Sequence, residues 1–239
     1  MSIVVPAVLP SSRQELEEKL ALLARIPSVS RIQIDVVDGR FATPASWPYT
    51  VPGELEEMAA HGTMLPSPDR IEYEIDLMCF DALLAAEPWL TMGASRLTFH
   101  TESAVDLAQF LASVRKRYGS GAGFAAGLIS YGLALNIESS FALVRSCIGE
   151  IKYVQCMGIA KIGRQGEPFD ERVFKKIETF RTMYPTLPIQ VDGGVSLQNA
   201  KKLLALGVSN LVVGSALVHA RNPARAFAEF EALRSSYGV

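Results

Sequence analysis

Eight times along this chain a short apolar run gives way to a longer stretch with helical periodicity. Regular alternation of this kind belongs to parallel α/β architecture, in which each strand is followed by a crossover helix on the outside of the sheet. The runs fall near residues 3–9, 31–37, 71–78, 95–100, 129–135, 151–157, 188–192 and 210–214. A count of eight favours closure of the sheet, so the expected fold is an α/β protein of the (β/α)8 TIM-barrel kind. The length, 239 residues, is close to the roughly 250 that one such barrel needs, so residues 1–239 read as a single domain.

Local signals agree. Ser11 and Ser12 precede Arg13-Gln14-Glu15-Leu16 as a helix start with a carboxylate in its first turn, and Ser196 opens a helix from Leu197 through Leu206 that Gly207 stops. Two segments depart from the alternation: 38–53, rich in Pro and aromatics, reads as a long loop, and 119–128, rich in Gly and Ala, as an insertion. A hydrophobic share of 49% allows a sizeable core, while a net charge of −2 without runs of one sign excludes a nucleic-acid or membrane-surface footprint. Cys79, Cys147 and Cys156 are too far apart for a zinc knuckle and odd in number, which points to a reducing, cytoplasmic setting. Residues 1–6 carry no basic segment before their apolar run, so neither a signal peptide nor a membrane anchor is expected.

The informative residues are polar ones inside strands. Period-two alternation in Arg31-Ile32-Gln33-Ile34-Asp35-Val36-Val37 puts Gln33 and Asp35 on one face, and Glu74, Asp76 and Met78 share a face in the same way. The seventh run, Pro188-Ile189-Gln190-Val191-Asp192-Gly193-Gly194, ends in another acid. Barrels build their sites at the C-terminal ends of the strands, so Asp35, Asp76 and Asp192 are expected to meet at one mouth. Crowded carboxylates raise one another's pKa and call for a shared proton or a cation. Oxygen ligands suit a hard divalent ion such as Mg²⁺ or Mn²⁺.

Glycine turns supply the second signal. Gly193-Gly194 and Gly214-Ser215 follow the seventh and eighth runs, where barrels commonly hold a phosphate. Met78 and Met157 are expected to line the same pocket. Lys161 and Arg164, in the loop after the sixth run, read as solvated residues able to add positive charge, and His100 as a core histidine or a partner of the ligands. His61 and His219 receive no role.

In order along nearly the whole chain, Pro6-Ala7-Val8-Leu9, Asp35-Val36-Val37-Asp38-Gly39, Ile75-Asp76-Leu77-Met78, Thr98-Phe99-His100-Thr101-Glu102, Ala134-Leu135-Asn136, Met157 and Val191-Asp192-Gly193-Gly194-Val195 resemble the ribulose-phosphate 3-epimerase family. The resemblance implies a TIM barrel of the ribulose-phosphate-binding type and an isomerase of carbohydrate metabolism, of the pentose-phosphate kind. It would epimerise D-ribulose 5-phosphate and D-xylulose 5-phosphate, or a related sugar phosphate, at C3. Asp35 and Asp192 match the family's two acid/base positions. Its metal set falls on Gln33, Asp35, Asp76 and Asp192, and its phosphate grip on Gly193, Gly194, Gly214 and Ser215.

This chain departs from the family at Gln33 and Asp76, where the pattern has histidines, at Ala7 and Val37, and in a rewritten loop from Lys161 to Gly166. Two other readings remain open. One is a Mg²⁺-dependent decarboxylase or aldolase of a related barrel, whose Asp-x-Lys-x-x-Asp element is absent because Val37 stands where the lysine would be. The other is a sugar-phosphate-binding homologue without catalysis. Which divalent metal is held (Mg, Mn, Fe or Zn), the particular sugar and assembly as a homodimer or higher homo-oligomer are left open.

Overall fold

A computed structural model of the protein describes residues 2–118 and 128–233; the insertion expected at 119–128 lies, except for residue 128, outside them. Eight parallel strands close in chain order, β1 (Val4–Val8), β2 (Arg31–Val37), β3 (Glu72–Met78), β4 (Arg96–His100), β5 (Ser130–Leu135), β6 (Val154–Met157), β7 (Ile189–Asp192) and β8 (Asn210–Val213). Each lies within its expected run. The TIM-barrel reading therefore holds.

Outside the sheet run α1 (Arg13–Ala24), α2 (Glu54–Ala60), α3 (Ala82–Thr91), α4 (Leu107–Tyr118), α5 (Arg172–Met183), α6 (Leu197–Ala205), α7 (Ser215–Val218) and α8 (Pro223–Glu231). Ser12 caps α1 by accepting from the Glu15 amide, and Ser196 with Asn199 forms a reciprocal capping box on α6. The stretch after β5 corrects the expectation of a helix behind every strand. It folds as two 3₁₀ turns, Phe141–Leu143 and Arg145–Glu150. Serines, a glycine and β-branched residues in this short connection lower α-helix propensity, while Val144 and Cys147 still cover the strand. None of the described helices is long and apolar enough to cross a membrane, and the three cysteines are buried and free.

The outward faces of the strands supply the apolar core. Ile32, Ile34, Val36, Ile75 and Leu77 belong to one large cluster with Leu16, Leu20, Trp47 and Trp89 from the surrounding layer. The inward faces are polar at the barrel's centre: Gln33, Glu74, Asp76, Thr98 and Gln155 are all fully buried. Where the wall must admit a large side chain, the opposing position is glycine. A Cβ on Gly132 would stand 2.5 Å from the Tyr153 ring, whose hydroxyl is fixed by Thr98 at 2.8 Å and the Leu97 carbonyl at 3.1 Å. Gly132→Ala is expected to destabilise by about 1–3 kcal/mol through overpacking; a urea midpoint equal to the parent's would contradict this.

Candidate active site

At the C-terminal ends of the strands opens a cavity of about 410 Å³. Asp35 from β2, Met78 from β3, Met157 from β6, Asp192, Gly193 and Gly194 at the end of β7, and Gly214 and Ser215 after β8 all line it. The glycines at β7 are required by geometry. Gly193 has φ +101° and Gly194 φ +65°, and a Cβ on either would lie 2.7 Å from Ile159 or from the Phe169 backbone.

Strand register brings the acids together: Asp35 pairs with Asp76 across β2 and β3, and Met157 with Asp192 across β6 and β7. Asp35, Asp76 and Asp192 each offer an oxygen within 4.8 Å of the others. Asp76 sits deeper and is fully buried, whereas Asp35 and Asp192 keep a small exposed edge at the cavity floor. The other acid of the second-strand motif, Asp38, is structural. Its Oδ1 accepts from the Arg40 and Phe41 amides at 2.7 Å and its Oδ2 from the Phe80 amide at 2.9 Å, which folds the loop back onto the end of β3.

Burial governs the electrostatics. It pushes the Asp35 carboxyl up to about 8, reinforced by the Asp76 charge and opposed by a hydrogen bond from Gln33. Burial likewise raises Asp192 well above the usual carboxylate range, helped by Asp35 and Asp76. For His100 burial acts against the imidazolium, but Asp76, 3.1 Å from Nε2, outweighs it and raises the pKa. His100 is thus a partner of the acids.

Three buried carboxylates within reach of one another, two of them with pKa raised by burial and by each other's charge, fit a hard divalent cation, whose charge would offset theirs. Gln33 is placed differently from the expectation that made it a ligand. Its Nε2 donates to Asp35 Oδ1 and to Asp192 Oδ2, both at 2.8 Å, and its Oε1 faces Gln190. An amide N–H cannot ligate a cation, so in this arrangement Gln33 serves as a donor to the two carboxylates.

The loop after β6 reaches across the mouth. Ile162 packs against Val37, Ala42 and Met78, and Gly163, with φ +85°, comes so close to Ala42 that a Cβ would stand 2.9 Å away. This mounting sends Arg164 over to the loop after β2, where its Nε donates to the Thr43 carbonyl at 3.0 Å. Arg164 lines the cavity, and so does Gln165, whose Nε2 is 3.5 Å from the Ala7 carbonyl. Arg164 is thus more than a solvated surface residue; Lys161 stays exposed and off the cavity wall.

The model of the ribulose-phosphate 3-epimerase family matches residues 3–218. The chain belongs to this family. By family, then, its class is that of a carbohydrate epimerase. Curated relatives named ribulose-phosphate 3-epimerase include one from Schizosaccharomyces pombe, 23% identical over 92% of this chain and 88% of the relative. Another, from Mycobacterium leprae, is 25% identical over 99% of this chain and 96% of the relative. Among solved structures, a ligand complex of KGPDC from Streptococcus mutans superposes with a TM-score of 0.67 at 16% identity, covering 98% of this chain and 97% of that one. A 3-hexulose-6-phosphate synthase gives 0.67 at 21%, covering 98% and 99%. At such identities the likeness speaks for the barrel alone.

Sequence reading missed two side chains that pack against these acids and their neighbours, Gln155 and Gln190. Gln155 donates to Asp76 Oδ2 at 2.9 Å and to Asp192 Oδ2 at 3.3 Å, and Gln190 lies beneath both Gln33 and Gln155. Their signal was present: Gln155 alternates with Met157, and Gln190 with Asp192, so each had to share the inward face.

Proposed function

We propose that this chain epimerises a ketose phosphate at C3, with the D-ribulose 5-phosphate and D-xylulose 5-phosphate pair as the first substrates to test. The observation carrying this reading is that two buried carboxyls with raised pKa, Asp35 and Asp192, face one cavity bordered by two glycine turns. A pKa brought toward neutrality is what a group needs both to take and to return a carbon-bound proton. One aspartate, as carboxylate, removes the C3 proton while the C–H electron pair forms a C2–C3 double bond and the carbonyl pair moves onto the C2 oxygen; the carbonyl then re-forms as the double-bond pair takes a proton at C3 from the other aspartate, a carboxylic acid on the opposite face. Asp35, Asp76 and Asp192 would hold a divalent cation, which supplies stabilisation of the negative charge that develops on the substrate's oxygen. His100 and Gln155 keep Asp76 in place, and Met78 and Met157 exclude water beside the reacting carbon.

Gly193, Gly194, Gly214 and Ser215 are proposed to take the phosphate. Among the described residues lining the cavity Arg164 is the only basic one, and no carboxylate pairs with it. Arg164→Gln is therefore expected to raise KM for the sugar phosphate about tenfold while kcat changes little, as for loss of one charge-assisted hydrogen bond. Steady-state kinetics check this.

The decarboxylase or aldolase reading gains nothing from Val37, which is buried against Ala42 and Met78 and offers no cation to a substrate. The decisive experiment incubates the purified protein with divalent metal and ketose phosphates in D2O and follows deuterium at C3. Absence of exchange across pentulose and hexulose phosphates would remove the epimerase reading, and tight binding without exchange would leave a binding protein in its place.

A further inference from the structure

Beneath the acids lies a layer of side chains that the proposed reaction does not touch. Gln190 Nε2 is surrounded by three oxygens: Glu74 Oε1 at 2.7 Å, Gln155 Oε1 at 2.8 Å and Gln33 Oε1 at 3.2 Å. Reversing that amide would set its oxygen against all three, so its orientation is fixed by its neighbours. The cost is visible, because Gln190 Oε1 is buried without a hydrogen-bond partner. Glu74 is in turn anchored from below, its Oε2 accepting from Arg96 Nε at 3.1 Å and its Oε1 from Thr98 Oγ1 at 2.8 Å.

Direction is transmitted upward. Since the oxygens of Gln33 and Gln155 are both engaged by Gln190, their nitrogens must face the carboxylates, and they do, donating to Asp35, Asp76 and Asp192. We propose that Gln190 is a positioning residue that keeps Gln33 and Gln155 as hydrogen-bond donors to the acid cluster and prevents their oxygens from joining a cation bound there. This rests on the reading of Asp35 and Asp192 as the working carboxylates. A cluster limited to three carboxylates holds a cation loosely enough to leave coordination places for substrate oxygens; two more amide oxygens would fill them.

The prediction has opposite signs for binding and turnover, which general damage to the fold would not produce. In Gln190→Met the oxygens of Gln33 and Gln155 lose the donor they share, and Glu74 Oε1 is freed to attract their N–H groups, so both amides turn over. Calorimetric titration of the full-length protein with Mn²⁺ is expected to show affinity raised about tenfold, the size usual for outer partners of metal ligands. Over the same change kcat/KM for C3 exchange is expected to fall about tenfold, because the added amide oxygens occupy the places that substrate oxygens need. Affinity that is unchanged or weaker in the folded variant overturns the proposal, as does a lowered melting temperature with affinity and kcat/KM intact. Should the variant not fold, the unmodified protein decides. On titration with Mg²⁺ the side-chain carbonyl carbons of Gln33 and Gln155 should keep their NMR positions, and a shift marking a ligated oxygen counts against it. If the parent chain exchanges no C3 proton, the epimerase reading fails, while the comparison of Mn²⁺ affinities still judges the role of Gln190.

Discussion

Asp192→Asn is expected to lower kcat for epimerisation by about a thousandfold, within the range that a positioned general acid or base supplies. Asparagine keeps the volume and an oxygen that can accept the hydrogen bonds now given by Gln33 and Gln155, so the loss is chemical and not structural. A finer outcome follows from having one carboxyl on each face of the sugar. Without Asp192 no group can serve the face it covers, yet Asp35 can still remove the C3 proton of the epimer turned toward it and exchange that proton with solvent. Deuterium should therefore enter one epimer without its conversion into the other, and Asp35→Asn should reverse which epimer exchanges. Proton NMR of each pure substrate in D2O reads both. Two variants that wash in deuterium identically, or that still interconvert the epimers at the parental rate, would rule out the two-carboxyl scheme.

How far such a site can be read from a chain depends on what kind of information each residue holds. The eight strands were legible because parallel strands are covered on both faces and so stand out as apolar runs; Gln33, Asp35, Glu74 and Asp76 interrupt those runs, and period-two geometry alone sends them inward. Asp192 and the glycines followed from position at strand ends. The role of Gln33 did not follow, because an amide carries a donor and an acceptor of nearly equal size, and which of them faces the acids is set by Gln190, from a strand 157 residues later in the chain. Arg164 was hidden for a similar reason: its placement depends on contact between the loops after β2 and β6, a long-range packing event at Ala42 and Gly163. The missing α-helix after β5 shows the reverse case, in which tertiary cover by Val144 and Cys147 sufficed without regular helix.

The raised pKa of the acids makes cation binding and protonation one process. Asp35 near 8 and Asp192 well above its usual range compare with about 3.9 for an unfolded aspartate. The metal-free folded chain thus binds more protons than the unfolded chain between those values. Stability contributed by these groups is present at low pH and falls as pH rises toward about 8. A divalent ion reverses the trend, since it binds the carboxylates and displaces their protons. With one proton displaced from Asp35 per ion, apparent affinity should climb by as much as about tenfold per pH unit below pH 8 and flatten above it. The rise in melting temperature produced by a fixed Mn²⁺ concentration should grow across the same interval. Calorimetry in two buffers of different ionisation enthalpy counts the protons directly. A cation that binds without proton release, or with pH-independent affinity, would mean that it sits elsewhere and that Asp35 and Asp192 do not share it.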